Sequence, residues 1–161
     1  MKIYKKQIVV LFITAILAWY ISTFWYQFIL VLGQSMQPSY YNWQIAMLSK
    51  QPSELKIGDV IAFKSEALDS ILIKRIVAVP GDILQIKDGT LYINGLSSME
   101  TSSNSYISFS GIAQDPIILT SDEYFVLGDN YECSKDSRYK EIGCIKRKDI
   151  MGKVLPQEHI K

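Results

Sequence analysis

The chain divides into two textures. From Gln7 to Leu32 there is no charged residue, and the run IVVLFITAILAWYISTFWYQFILVL is long enough at 1.5 Å per residue to cross a bilayer core of ~30 Å. This pattern predicts a transmembrane helix over residues 7–32, preceded by a short tail over residues 1–6. Trp19, Tyr20, Trp25 and Tyr26 crowd the second half of the run, as aromatics do near a membrane interface. A buried core helix would rarely stay uncharged for so long. A cleaved export signal would have a shorter apolar stretch ending in small residues, whereas this one ends in large residues before Gly33-Gln34-Ser35-Met36.

Beyond Gly33 the spacing changes from helical to strand-like. Short alternating or β-branched runs near Gln44–Ser49, Asp59–Lys64, Ser70–Val79, Asp82–Lys87, Thr90–Asn94, Glu123–Leu127 and Ile150–Leu155 read as strands. Asp88-Gly89 between two of them is a tight-hairpin signal, and Gly58-Asp59, Pro80-Gly81-Asp82 and Asn94-Gly95 mark further turns. Leu96–Ser121 is rich in Ser and Thr and reads as a long surface loop with one short strand at most. The expected architecture is mainly β: an antiparallel domain over residues 33–161 on a single N-terminal membrane stalk.

Charge orients this arrangement. Lys2, Lys5 and Lys6 precede the apolar run, and no further lysine or arginine appears before Lys50. The positive-inside rule then places the N-terminus in the cytoplasm and the β domain outside, with the lipid bilayer as a partner. The 161-residue chain carries a formal net charge of +1, which gives no electrostatic reason to expect a nucleic-acid partner.

Composition also narrows the chemistry. The single histidine, His159, lies two residues from the C-terminus, a poor position for the base of a Ser-His-Asp or Cys-His protease. Two cysteines and one histidine cannot make a three-His or Cys/His metal centre, and no metal or cofactor is expected. A hydrolase of this composition would take Lys, Asp or Glu as its base.

Three segments could carry chemistry. In Gly33-Gln-Ser-Met-Gln-Pro-Ser39, Ser35 sits in a constrained turn just after the apolar run. In Ile71-Leu-Ile-Lys-Arg-Ile-Val-Ala-Val-Pro-Gly-Asp82, Lys74 and Arg75 interrupt an apolar strand and must point to opposite, equally apolar faces. At least one of these cations is therefore partly buried. Burial lowers a lysine pKa, so Lys74 could serve as a neutral general base, which Arg75 cannot. In Gly128-Asp-Asn-Tyr-Glu-Cys-Ser-Lys-Asp-Ser-Arg138, short hydrogen-bonding side chains follow an apolar strand and could orient an amine. Asp129, Asn130, Glu132 and Asp136 bear a slight likeness to a calcium loop, without its central Gly or its terminal Glu spacing. Each segment alone has a plain reading as a turn, an edge cation or a polar loop.

Together, and in this order after a membrane span, the three motifs resemble the type I signal peptidases, over about residues 29–155. That resemblance implies a serine endopeptidase of the bacterial plasma membrane. It would remove signal peptides from exported preproteins with small residues one and three positions before the cut. It makes Ser35 the nucleophile and Lys74 the base, with Ser134 orienting the lysine and Arg75, Asp129, Asp136 and Arg138 supporting the site. It offers Ile29, Val31, Met36, Leu72 and Ile73 as pocket walls and the Ser35 N–H as oxyanion donor. Gly33 stands where some members carry a second donor hydroxyl.

The chain departs from the family pattern in one loop. Tyr131 and Glu132 replace a common Arg-Asp pair, Cys133 a common Asn, and two extra residues separate Arg138 from Gly143. A relative dedicated to conjugative-transfer or pilin-type precursors shares the same motifs. A catalytically inactive, membrane-tethered peptide-binding β domain is the alternative of another class. In an oxidising compartment Cys133 and Cys144, the only two cysteines, would be expected to form a disulfide around the third motif.

Overall fold

In a computed structural model of the chain, residues 2–52, 54–98 and 106–156 are described. Helix α1 spans Lys2–Phe24, and within it Tyr4–Phe24 is long and apolar enough to cross a membrane, with none of its residues buried. The expected span to Leu32 is corrected here. The chain leaves the helix after Phe24, and Tyr26–Leu30 forms strand β1. The sheet domain therefore starts at Tyr26 rather than at residue 33. The physical reason is that β1 is uncharged and, Gln27 aside, apolar. Gln27 and Ile29 are half-buried while Tyr26, Phe28 and Leu30 are exposed, so hydropathy alone does not separate strand from helix.

The remaining strands are β2 (Ile45–Ser49), β3 (Val60–Ser65), β4 (Ser70–Ala78), β5 (Ile83–Lys87), β6 (Thr90–Ile93), β7 (Leu96–Ser97), β8 (Ile117–Ile118), β9 (Glu123–Leu127), β10 (Ile145–Lys146) and β11 (Ile150–Val154). A seven-stranded antiparallel sheet runs in the order β1-β2-β11-β3-β4-β9-β10, and a four-stranded one in the order β7-β6-β5-β8. Seven of these strands fall within a residue or two of where the alternation put them. The hairpin at Asp88-Gly89 has positive φ at both positions (50° and 75°), as a tight two-residue turn requires.

The faces of the large sheet are covered unequally. β3 alternates between two clusters, with Val60 and Ala62 on one side beside Met36 and Leu48, and Ile61 and Phe63 on the other beside Ile76 and Val126. A third cluster joins Phe125 and Leu127 of β9 to Leu84, Ile86 and Leu91 of the small sheet. The outer side of the β1–β2 hairpin is left bare: Phe28 is 74% exposed, and Tyr26, Leu30, Ile45 and Met47 are exposed beside it. Trp43 in the connecting loop is also exposed.

The stretch Leu96–Ser121 is less of a surface loop than its composition suggests. Its described part holds β7, β8 and a single 3₁₀ turn at Gly111–Gln114, and it buries Ile107, Ala113 and Leu119 in the third cluster. His159 lies outside the described residues.

Candidate active site

Ser35 lies on the loop joining β1 to β2. Met36, 1% exposed, plugs this loop into the core, and Asn130 N–H donates to the Ser35 carbonyl at 3.0 Å. Strand β4 supplies the other half of the site. Its register sets Lys74 opposite Ile61 and Arg75 opposite Val60, so the two cations face opposite sides of the sheet. Lys74 is the buried one, 3% exposed, and its Nζ donates to Ser35 Oγ at 2.7 Å. Burial pushes the Lys74 amine down from its ordinary value to about 8, although Asp136 and Asp129 pull it the other way. Roughly a tenth of such amines are neutral at pH 7, against well under a thousandth for a free lysine.

Arg75, on the opposite face, is a clamp. Its Nε and Nη2 donate to the two carboxylate oxygens of Asp129 at 2.7 and 2.6 Å, Nη2 also reaches Ser39 Oγ, and Nη1 donates to the Gly58 carbonyl. One planar fork thus joins the third motif to the Ser35 loop and to the turn before β3.

Arg138 and Asp136 are fully buried and paired, Nε to Oδ1 at 2.8 Å and Nη2 to Oδ2 at 2.9 Å. Asp136 also accepts from the Gly128 N–H, and the guanidinium donates to the carbonyls of Phe109, Tyr131 and Ser134. A buried pair is tolerated only when its remaining donors and acceptors are occupied, and here they are filled from three separate stretches of backbone. Tyr131 lays its ring 5.9 Å from the guanidinium carbon, and Glu132 accepts from Ser108. The two substituted residues of the motif thus pack and tie the loop rather than loosening it.

Ser134 is buried beside this pair, and its Oγ has no hydrogen-bond partner among the described residues. The structure brings it to the site without bonding it to Lys74, whose amine is engaged with Ser35. The five expected pocket residues divide between two clusters. Ile29, Val31, Met36 and Ile73 share the cluster that holds Met36 of the Ser35 loop, while Leu72 packs against the opposite one.

The expected Cys133–Cys144 disulfide is corrected: both cysteines are free. Cys133 is exposed at the end of a 3₁₀ turn, whereas Cys144 packs against the third cluster, where burial pushes its thiol up to about 11. The bonds of Arg138 supply the loop order that a bridge was expected to provide. Among the described residues no group of His, Cys, Asp and Glu side chains could hold a metal ion, the acidic residues of the third motif included.

Two contributors were not singled out from sequence. Ser137 Oγ accepts from Val126 N–H, tying the motif back to β9. Gly128 is the point where three segments meet: a methyl group there would strike Ser134 Oγ and lie 2.5 Å from the Ser35 carbonyl oxygen. A glycine directly after a buried strand and before a dense polar loop was the available signal.

The family model for signal peptidases, peptidase S26, matches residues 4–156, a stretch containing every group described above. The chain belongs to the signal peptidase family. Signal peptidase I P of Bacillus subtilis subsp. natto is 31% identical over 150 residues, covering 87% of this chain and 80% of that protein. Signal peptidase I T of Bacillus subtilis strain 168 is 34% identical over 151 residues, with coverage of 87% and 77%. Signal peptidase IB of Staphylococcus aureus strain Mu50 is 31% identical, with coverage of 77% and 73%. The crystal structure of a signal peptidase I from Enterococcus faecalis V583 superposes with a TM-score of 0.50 at 31% identity, covering 65% of this chain and 99% of that one. The peptidase is thus a serine endopeptidase acting on signal peptides, on a fold of antiparallel sheets with one N-terminal apolar helix.

Proposed function

We propose that the peptidase cleaves signal peptides with a Ser35–Lys74 dyad, the lysine acting as a neutral base. The observation that carries this reading is the 2.7 Å contact between Lys74 Nζ and Ser35 Oγ, made by a lysine that is buried and held near pH 8. A neutral amine at that distance accepts the hydroxyl proton as Ser35 Oγ attacks the scissile carbonyl. The ammonium so formed protonates the leaving amine, and the acyl group stays on Ser35. Lys74, neutral again, then takes a proton from water as its oxygen attacks the ester, and returns that proton to Ser35 Oγ as the bond to the acyl group breaks, which releases the new C-terminal acid and restores the enzyme. The Ser35 N–H faces the developing oxyanion. Ser134 suits a positioning role, since its buried hydroxyl lacks a partner among the described residues and an ammonium turning from Ser35 would supply one.

Ile29, Val31, Met36 and Ile73, gathered in one cluster below the loop, suit a pocket for small apolar side chains one and three residues before the cut. Leu72 belongs to that reading only if it turns away from the opposite cluster. Preproteins with signal peptides are the proposed substrates. Helix α1 spans the bacterial plasma membrane with Lys5 and Lys6 on the cytoplasmic side, and the bare apolar face of the β1–β2 hairpin rests against the outer leaflet.

The test is cleavage of a preprotein by the detergent-solubilised peptidase. Ser35→Ala, Lys74→Ala and Lys74→Arg should each abolish it while leaving the circular dichroism unchanged, and EDTA should have no effect. Turnover near the wild-type rate by any of the three variants would overturn the dyad.

A further inference from the structure

Helix α1 and the sheet meet without a linker. Trp25 alone separates Phe24 from Tyr26, and the joint is closed by bonds from the far end of the hairpin. An α-helix ends with four carbonyls that have no partner within it. Here Trp25 N–H donates to the Ile21 carbonyl at 2.9 Å, Lys50 Nζ to the Thr23 carbonyl at 3.0 Å, and Gln51 Nε2 to the Phe24 carbonyl at 3.3 Å. Lys50 N–H donates to the Trp25 carbonyl at 2.9 Å, one step beyond the pairing of Tyr26 with Ser49. Two side chains lying 27 residues away in sequence thus cap the helix, and one of them places its positive charge at the negative end of the helix dipole. At a membrane interface, where open carbonyls are costly, such a cap fixes direction as well as satisfying the backbone.

The capped hairpin is the one that carries Ser35. Both of its ends, Tyr26 and Ser49, are tied to the helix terminus, and Ser35 sits on the loop between them. We propose that Lys50 and Gln51 are positioning residues that lock the anchor helix to the nucleophile hairpin and so fix the depth of Ser35 relative to the bilayer. This rests on α1 spanning the membrane and on Ser35 being the nucleophile. At ~3.3 Å per strand residue, Ser35 can stand at most ~30 Å from the joint, so a swing of ~10° there moves it by up to ~5 Å, against ~3.3 Å for one residue of an extended substrate. A signal peptide held in the same bilayer presents its scissile bond at one depth. A loose joint would therefore slow cleavage and blur its position, whereas a short soluble peptide carries no depth to be matched.

The experiment compares Lys50→Ala/Gln51→Ala with the wild-type chain on two substrates: a short signal-sequence peptide in detergent, and a preprotein inserted in phospholipid vesicles with the peptidase. Peptide kcat/KM should stay within about twofold, while vesicle processing should fall about tenfold, with secondary cuts seen by mass spectrometry. Lys50→Arg with Gln51 intact, which retains a cationic donor, should process the preprotein within about threefold of wild type. Equal losses on both substrates, no loss on either, or failure of Lys50→Arg would each overturn the proposal. A wild-type chain that cleaves neither substrate would instead overturn the dyad reading on which it rests.

Discussion

Gly128→Ala isolates the packing of the site from its chemistry. Gly128 is not among the positive-φ glycines, so alanine fits its backbone conformation and the perturbation is one methyl group. That methyl would lie 2.5 Å from the Ser35 carbonyl oxygen and 2.6 Å from Ser134 Cβ. Ordinary separations for such atoms are about 3.5 Å, so the Ser35 loop and the Ser134 loop must part by roughly 1 Å. The same Ser35 carbonyl is held by Asn130 N–H, and Gly128 N–H is bound to Asp136, so neither side can yield alone. A 1 Å displacement of a reacting group costs about 10²-fold in rate, and overpacking of this kind costs ~1–3 kcal/mol in stability. Peptide-cleavage kinetics should thus show kcat/KM down about a hundredfold with the fold retained. Gly143→Ala is the control. Its φ is +60°, and a methyl there meets nothing nearer than the Lys140 carbonyl at 3.8 Å, so backbone strain should lower stability by ~1–2 kcal/mol and leave kcat/KM nearly unchanged. Activity within threefold of wild type for Gly128→Ala would refute the claim that this contact sets the position of Ser35.

Four further outcomes follow from the structure. Because the base must be neutral, kcat/KM should rise with pH through about 8 and then level off, and a profile already flat from pH 6 would contradict Lys74 as base. Folding is linked to the same group: between pH 8 and the ordinary lysine value of 10.5 the unfolded chain binds the extra proton, so the Lys74 contribution to stability should rise with pH across that window, as urea titrations can test. Asp136→Ala leaves Arg138 buried and unpaired and should cost ~3–5 kcal/mol in chemical denaturation, so a loss under 1 kcal/mol would show that water or another acceptor replaces the carboxylate. Without reductant, alkylation should label Cys133 quickly and Cys144 only on unfolding, and a native mass two hydrogens light would restore the disulfide excluded here.

Much of the site was legible because strands have period two. Lys74 and Arg75, adjacent in an apolar strand, had to face opposite sides, and burial of one of them followed before any partner was known. That the buried cation meets Ser35 came only from the resemblance, since a contact 39 residues apart in sequence leaves no local trace. The helix end was missed because Tyr26–Leu30 is uncharged and, Gln27 aside, apolar, and a strand with an exposed apolar side reads like more helix. The Ser- and Thr-rich stretch concealed Ile107, Ala113 and Leu119, too widely spaced to register as a pattern. The cysteine pairing failed for a different reason: counting thiols says which bridges are possible, not whether a buried cluster has already claimed one of them.

The bare hairpin has a practical consequence for any truncated form. Removing residues 1–24 would delete the helix but leave Tyr26, Phe28, Leu30, Ile45 and Met47 presenting one apolar face to water. It would also strip Lys50 and Gln51 of the carbonyls they cap. Such a fragment would be a surfactant-like protein, gathering micelles or its own copies onto that face. Its behaviour in detergent-free buffer would report on self-association rather than on catalysis.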